Sequence, residues 1–427
     1  MKYFIKTFGC QMNVSDSERL ATFLEKNNYT ESSLISEADL VIFNTCGIKQ
    51  TAENRAYSMI NNLRKAELKI KNQKTKNIVM TGCLAHRADV QKRMQKKVDL
   101  FTEIKNFEKD FEKISKNSIL DNRDYLSTIP KHSNNFQAYV PIMTGCNNFC
   151  TYCVVPYARG REVSRPAEEI LSEIEKLVAN GYKNIILLGQ NVNSYLDHKT
   201  NFPKLLKKIN AISGKFWIQF ISSHPKDMDD ELIATVTKLK KVCEWIHLPM
   251  QAGNDEILQK MNRKYTAKHY LGRIRKIKAE FKKNKPATLF SISSDIIVGF
   301  PTESKAQFLD SAEVMEKSKF DMVFFGQFSP RPGTVAWKLK DDVTQEEKTW
   351  RENFLNEILK KTTLVNNNKY IGKVLEVLIE KEKDGHYFGK TRTQKNVKIK
   401  NTKKDLIGKF VKAKITKANI WNLEATI

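Results

Sequence analysis

Residues 139–153 read Tyr139-Val140-Pro141-Ile142-Met143-Thr144-Gly145-Cys146-Asn147-Asn148-Phe149-Cys150-Thr151-Tyr152-Cys153. The stretch up to Thr144 is short and apolar, as a buried strand is. Three cysteines follow at once in a Cys-x3-Cys-x2-Cys pattern. Three thiolates this close can hold three irons of a four-iron cluster and leave the fourth iron open. An open iron can chelate the amino and carboxylate groups of S-adenosylmethionine (SAM). Electron transfer into the sulfonium then cleaves SAM to methionine and a 5′-deoxyadenosyl radical. That chemistry belongs to the cofactor, and the protein orients and shields it. A zinc site competes weakly, because no fourth ligand of zinc type lies nearby in sequence. Tyr152, the aromatic before the last cysteine, is placed to pack beside the adenine.

Downstream, five more strand signals alternate with helical ones. Strands are expected at 184–188, 216–222, 245–248, 289–298 and 322–328, with helices at 166–180, 202–212, 229–240, 266–281 and 303–317. Counting the 139–144 strand, six units are too few for a closed eight-fold barrel. They predict an open, partial (β/α)6 barrel with its site at the strand C-termini. The strand ends then become candidates for holding SAM: Gly189, Gln190 and Asn191 after the second strand, Ser222 after the third, and Val298 and Gly299 after the fifth. Turn chemistry explains each of them singly; together they mark one rim. Glu303 reads as a cap of the helix that follows, and Cys243 as a small core residue.

Upstream lies a separate α/β series. Strands at 2–8, 39–45 and 77–81 and helices at 15–26 (opened by Ser15 and Asp16), 49–65 and near Ala88 imply an open parallel sheet. Cys10, Cys46 and Cys83 each stand just past one of these strands, 36 and 37 residues apart. A parallel sheet gathers its strand C-termini on one edge, so the three thiols are expected to converge there. The polar stretch 108–137 reads as a linker.

Downstream of the barrel, a helix at 344–365 and an Asn-rich hinge at 366–368 lead into short alternating strands at 373–379, 386–391, 396–400, 410–415 and 421–425. These predict a small all-β barrel. From Lys369 onward, 15 Lys and Arg stand against 6 Asp and Glu, which suits a nucleic-acid module. The expected division is 1–120, 136–365 and 366–427.

Composition agrees. The whole chain has 427 residues and a net charge of +25, a field that favours polyanions. No stretch is long and apolar enough to cross a bilayer. The N-terminus lacks the features of a signal peptide. The protein is therefore expected in the cytosol, where clustered thiols serve as metal ligands rather than disulfides.

Several motifs together resemble a known family: Gly9-Cys10-Gln11-Met12-Asn13, Asn44-Thr45-Cys46, Thr81-Gly82-Cys83, the Cys146–Cys153 motif, Val154-Val155-Pro156-Tyr157, Arg159-Gly160, Ser164-Arg165-Pro166, Leu188-Gly189-Gln190-Asn191-Val192-Asn193 and Ser329-Pro330-Arg331-Pro332-Gly333-Thr334. The chain looks like a radical SAM methylthiotransferase along essentially its whole length. Its C-terminal barrel is similar to a TRAM domain. Gln11-Met12-Asn13, Val154-Val155-Pro156-Tyr157 and Gln190-Asn191-Val192-Asn193 look most like the group acting on N6-dimethylallyladenosine of tRNA. A sister group acts on N6-threonylcarbamoyladenosine, and a third on an aspartate of a ribosomal protein.

The resemblance implies two [4Fe–4S] clusters. One, on Cys10, Cys46 and Cys83, would carry or supply sulfur; the other, on Cys146, Cys150 and Cys153, would generate the radical. One SAM would methylate the sulfur, and a second would make the radical that removes hydrogen from carbon 2 of the base at position 37. A monomer would work with an electron donor such as flavodoxin or ferredoxin and with a sulfur or cluster donor. Lys390 and Arg392 would contact tRNA phosphates. A non-catalytic iron–sulfur RNA-binding protein is the competing class, and it has no use for an open iron. The chain departs from the usual pattern at Gly47, Ala252, Thr302 and Lys390, none of them a cysteine.

Overall fold

Leu40–Thr45 is buried at all six positions, because sheet lies on both sides of it and helices cover both faces. That environment demands a continuous apolar run instead of alternation. The computed structural model describes residues 1–48, 50–68, 75–115, 125–400 and 405–427. The first sheet is parallel throughout and comprises Lys2–Thr7 (β1), Thr30–Glu31 (β2), Leu40–Thr45 (β3), Asn77–Gly82 (β4) and Leu100–Phe101 (β5), in the order β2-β1-β3-β4-β5. One core forms on the Leu40 and Ile42 face, another on the Val41 and Phe43 face.

The helix expected at 15–26 spans Gln11–Lys26, with Cys10 as its N-cap. Ser15 and Asp16 do not open it. They lie buried in its first turns, facing other parts of the chain. The helix expected at 49–65 is Gln50–Glu67, and Lys49 lies outside the described residues.

Six strands form the central barrel: Gln137–Pro141 (β6), Asn184–Leu188 (β7), Trp217–Phe220 (β8), Trp245–His247 (β9), Ser291–Val298 (β10) and Met322–Gln327 (β11). They make two parallel three-stranded sheets, and an Ile218–Val242 bridge joins them into one open arc from β6 to β11. The strand expected at 139–144 divides in two. Its ladder stops at Pro141, and Met143–Thr144 turns to pair antiparallel with Val163–Ser164. Alternate residues (Ala138, Val140, Ile185, Leu187, Ile218, Phe220, Ile246, Ile292, Ile296) pack against the surrounding helices in the largest core. Their neighbours in sequence therefore face the interior of the arc.

The third region is a closed five-stranded barrel of Val374–Lys383 (β12), His386–Thr391 (β13), Asn396–Lys400 (β14), Phe410–Ala418 (β15) and Leu423–Thr426 (β16). It plugs the N-terminal end of the central arc. Trp217 lies 4.8 Å from Phe410 by ring centroid and donates its indole N–H to Glu376 at 3.2 Å. Ser291 donates to the Thr393 carbonyl at 2.6 Å. Among the described residues no helix is long and apolar enough to cross a membrane.

Candidate active site: two facing cysteine sets

All six candidate cysteines are free thiols. Cys10, Cys46 and Cys83 follow β1, β3 and β4 on one edge of the first sheet. Asn13 and Asn44 tie the first two together: Asn13 Nδ2 donates to Asn44 Oδ1 at 2.8 Å and to the Thr45 carbonyl at 3.0 Å. Cys10 Sγ donates to Asn13 Oδ1 at 3.3 Å. Cys83 N–H donates to the Thr45 carbonyl at 2.9 Å.

The second set lies in one loop, which turns at Gly145 with φ +75°. A Cβ there would stand 2.0 Å from the Arg161 carbonyl oxygen, so only glycine serves. Residues 260–263 clasp this loop. Thr151 donates to the Lys260 carbonyl at 2.8 Å, and Asn262 to the carbonyls of Asn148 and Phe149 at 3.1 and 3.0 Å. Arg263 is buried; it donates to Cys150 Sγ at 3.4 Å, to the Pro249 carbonyl at 3.2 Å and to Tyr265 Oη at 3.1 Å. Tyr152 packs beside Ala252, Ile257, Met261 and Phe300.

The two sets face each other. A Cβ added to Gly47, next to Cys46, would stand 3.3 Å from Cys83 Cβ and 3.3 Å from Val154 Cγ2, next to Cys153. Buried polar contacts fix the approach. Arg159 donates to Asp16 at 2.6 Å, with side-chain exposures of 3% and 0%. Arg331 donates to Gln50 at 2.7 Å and lies 3.9 Å from Glu53. Arg19 and Arg165 share Glu173 at 3.4 and 2.5 Å.

Burial raises the thiols of Cys83 and Cys146 above the ordinary range and pushes that of Cys153 up to about 12. Arg159 opposes the rise at Cys83. Such sulfurs become thiolates only beside a strong positive charge, which iron supplies. No three His, Cys, Asp or Glu among the described residues close on a single ion. A cubane spans more space than one ion, so two triads of thiols, all but Cys10 buried or half-buried, fit clusters better than zinc.

The rim beside the second set holds unpaired polar atoms. Gln190 Oε1, Asn191 Oδ1, Asn193 Oδ1, Ser223 Oγ and His224 Nε2 are buried without a partner among the described residues. Burial, then Arg263 and Lys226, pushes His224 down to about 2, so it is neutral. Its Nδ1 accepts from Lys226 N–H at 3.3 Å, which leaves an Nε2–H donor toward the rim. Unsatisfied donors and acceptors at this density suit an amino-acid moiety such as that of SAM.

Other expected positions take different parts. Gly189 is required by packing, since a Cβ would stand 2.5 Å from Met143 Cγ. Asn191 Nδ2 donates to Asp227 at 2.7 Å. Ser222 holds φ +69°, and its carbonyl accepts from Val192 N–H at 3.3 Å. Val298 turns its side chain into the helix-side core and its carbonyl to Phe328 N–H. Gly299, at φ +68°, donates to Glu303 at 2.8 Å. Glu303 is thus no helix cap; it clamps this turn and pairs with Arg351 at 2.7 Å, while Ser304 caps the helix.

Arg392 does not face solvent as a free phosphate contact would. It donates to Glu244 at 2.7 and 3.0 Å and to the carbonyls of Lys240 and Val242 at 2.8 Å, so it joins the two barrels and is spent as a free phosphate contact. Lys390 lies near Glu380 on the C-terminal barrel. Sequence reasoning missed the Asp16–Arg159 and Arg263–Cys150 contacts, which span 143 and 113 residues.

Comparison with known proteins gives three family matches: the Radical SAM superfamily over residues 140–315, Uncharacterized protein family UPF0004 over 2–103, and the TRAM domain over 368–427. A tRNA-2-methylthio-N(6)-dimethylallyladenosine synthase of Thermoanaerobacter pseudethanolicus is 40% identical over 446 residues, covering 100% of this chain and 92% of the relative. The protein of that name from Clostridium novyi is 40% identical over 447 residues, covering 100% and 96%. In fold, the chain resembles the radical SAM methyltransferase TsrM of Kitasatospora setae, with TM-score 0.56 and 11% identity over 78% of this chain and 74% of the other.

Proposed function

The chain belongs to the radical SAM methylthiotransferases of the tRNA-2-methylthio-N(6)-dimethylallyladenosine synthase kind, and on that premise we propose that it methylthiolates carbon 2 of N6-isopentenyladenosine at position 37 of tRNA. It is a tRNA methylthiotransferase whose family uses SAM and a [4Fe–4S] cluster. The observation that carries the finer reading is the pair of facing cysteine triads, one after dispersed strands and one in a single loop.

Cys146, Cys150 and Cys153 would hold the radical-generating cluster, which would supply the electron that opens SAM, and Cys10, Cys46 and Cys83 would hold an auxiliary one, which would supply sulfur for methylation by a further SAM. The chain's own residues position these partners. Arg263 and Asn148 donate to the sulfurs of Cys150 and Cys146, at 3.4 and 3.6 Å. Gln190, Asn191, Asn193, Ser223 and His224 receive the polar end of SAM. The Asp16–Arg159 pair holds the sulfur-bearing edge over the radical-bearing loop. Lys390 meets tRNA phosphate, and Arg392 orients the barrel that carries it. An electron donor and a sulfur source act from outside.

Mass spectrometry of tRNA nucleosides from cells with and without the gene tests this. Loss of 2-methylthio-N6-isopentenyladenosine, with its precursor accumulating, is expected. Loss of the threonylcarbamoyl counterpart instead would overturn the substrate.

A further inference from the structure

One half of the barrel interior carries a polar and aromatic set that no part of the SAM site uses. Trp245 and His247 on β9, Ser293 and Asp295 on β10, and Phe324 on β11 share the interior face by register. Trp245 Nε1 donates to Ser293 Oγ at 2.8 Å, and Ser293 Oγ lies 2.9 Å from His247 Nδ1. His247 Nε2 lies 3.3 Å from Asp295 Oδ2. With Ser293 donating to Nδ1, His247 donates its Nε2–H to Asp295. Among the described residues no hydrogen bond claims Asp295 Oδ1, and the side chain is 37% exposed. Phe324 is 58% exposed, an unusual state for a phenyl ring on an interior strand face. Its centroid lies 6.2 Å from that of His247.

The facing wall is apolar: Tyr139, Ile186, Leu188 and Ile221 pack together with Met12. Met12 is two residues from Cys10, and Leu188 ends the strand beside the SAM rim. The apolar wall therefore reaches toward the Cys10 edge at one side and the SAM rim at the other.

We propose that this interior face is the pocket for the target base, and that Asp295 makes it selective for an uncharged N6-alkyl adenosine. The inference deepens the proposed function and rests on it. Phe324 and Trp245 offer faces for stacking an adenine ring. Tyr139 and Ile221, the half-buried members of the apolar wall, accept a branched alkyl group. Asp295 Oδ1 accepts the single N6–H that an N6-alkylated adenine retains. The same carboxylate repels a substituent that carries its own carboxylate, as a threonylcarbamoyl group does, so rejection comes from charge as well as shape.

The test uses the reconstituted full-length enzyme and anticodon stem-loop RNAs bearing isopentenyl-, threonylcarbamoyl- or unmodified adenosine at position 37. Affinity is read by fluorescence anisotropy and turnover by mass spectrometry, for wild type, D295N and F324A. The Asn side chain keeps shape and an acceptor oxygen and removes the charge. F324A truncates an exposed ring and leaves no buried cavity. The expected results are three. Wild type prefers the isopentenyl RNA. D295N narrows the preference for isopentenyl over threonylcarbamoyl RNA by about tenfold or more. F324A weakens isopentenyl RNA by about tenfold while leaving the unmodified RNA, gripped remotely, almost unchanged. If wild type prefers the isopentenyl RNA and neither variant alters that preference or affinity, the pocket is overturned and the substrate assignment stands. If wild type prefers the threonylcarbamoyl RNA, the substrate assignment falls, and the charge argument with it.

Discussion

The two cysteine sets reach similar ends by opposite routes. Cys146, Cys150 and Cys153 are brought together by one loop, and the segment 260–263 merely clasps it. Cys10, Cys46 and Cys83 are brought together only when three strands align in parallel register, Thr7 beside Asn44 and Thr45 beside Gly82. One site is local and the other is a property of the sheet. Each has a buried arginine, Arg263 for the loop and Arg159 for the sheet edge. The difference separates what disturbs chemistry from what disturbs assembly.

The largest expected effect comes from removing either set. Replacing Cys10, Cys46 and Cys83 together with Ala should leave about four of about eight irons. It should also leave SAM cleavage to 5′-deoxyadenosine intact while abolishing methylthiolation. Replacing Cys146, Cys150 and Cys153 should abolish both. Iron analysis and product chromatography check this. Equal loss of SAM cleavage in the two variants would break the division of labour between the sets.

Next is the interdomain pair. Arg159→Met strands the Asp16 carboxylate, at 0% exposure, and should cost about 3–5 kcal/mol in denaturant unfolding. Adding Asp16→Leu should recover most of that, because two apolar residues of similar volume need no partner. If the double variant is no better than the single one, the pair does more than hold the domains together.

This contrast explains what was legible in the sequence. The Cys-x3-Cys-x2-Cys loop announces itself within a few residues. The dispersed triad was legible because strand periodicity and parallel topology supply the convergence. The six barrel strands and the closed C-terminal barrel follow from alternation and turn residues. Asp16, Arg159 and Arg263 were opaque as partners, since a buried charge is defined by what lies opposite in three dimensions. Asp16 even carried a false signal: beside Ser15 it imitates a helix N-cap, while the true cap is Cys10. Arg392 misled for a related reason. A cation on a basic barrel suggests RNA until Glu244 is found against it.

Arg263 should show a smaller effect of a different kind. Arg263→Gln loses donors to Cys150 Sγ and the Pro249 carbonyl, which should cost about 1–3 kcal/mol. A cationic donor beside a ligating sulfur favours the more negative, reduced cluster. The midpoint potential of the radical-generating cluster should therefore fall, as read by potentiometric EPR titration, with the auxiliary cluster unmoved. Arg263→Lys should restore part of the potential without the bidentate geometry. An unchanged potential would leave Arg263 as packing alone.

The smallest effect concerns the seam between the two barrels. Burial raises the Glu244 carboxyl, but Arg392 and Lys285 outweigh it and hold the group below the usual carboxylate range. A depressed folded value means that the stabilisation is fully present above the unfolded value, about pH 4.3. It is lost as pH falls through the lower folded value. Fluorescence of Trp217, packed against Phe410 across the same seam, should report loosening below about pH 4, and Glu244→Gln should remove that acid step. The seam also separates two roles for cations on the C-terminal barrel. Lys390→Ala should lower the slope of log affinity against log salt for tRNA by about one. Arg392→Ala should leave the slope unchanged and shift the docking instead, because its guanidinium is already neutralised by Glu244. A slope lowered equally by both variants would return Arg392 to the phosphate contacts and make the seam a secondary duty.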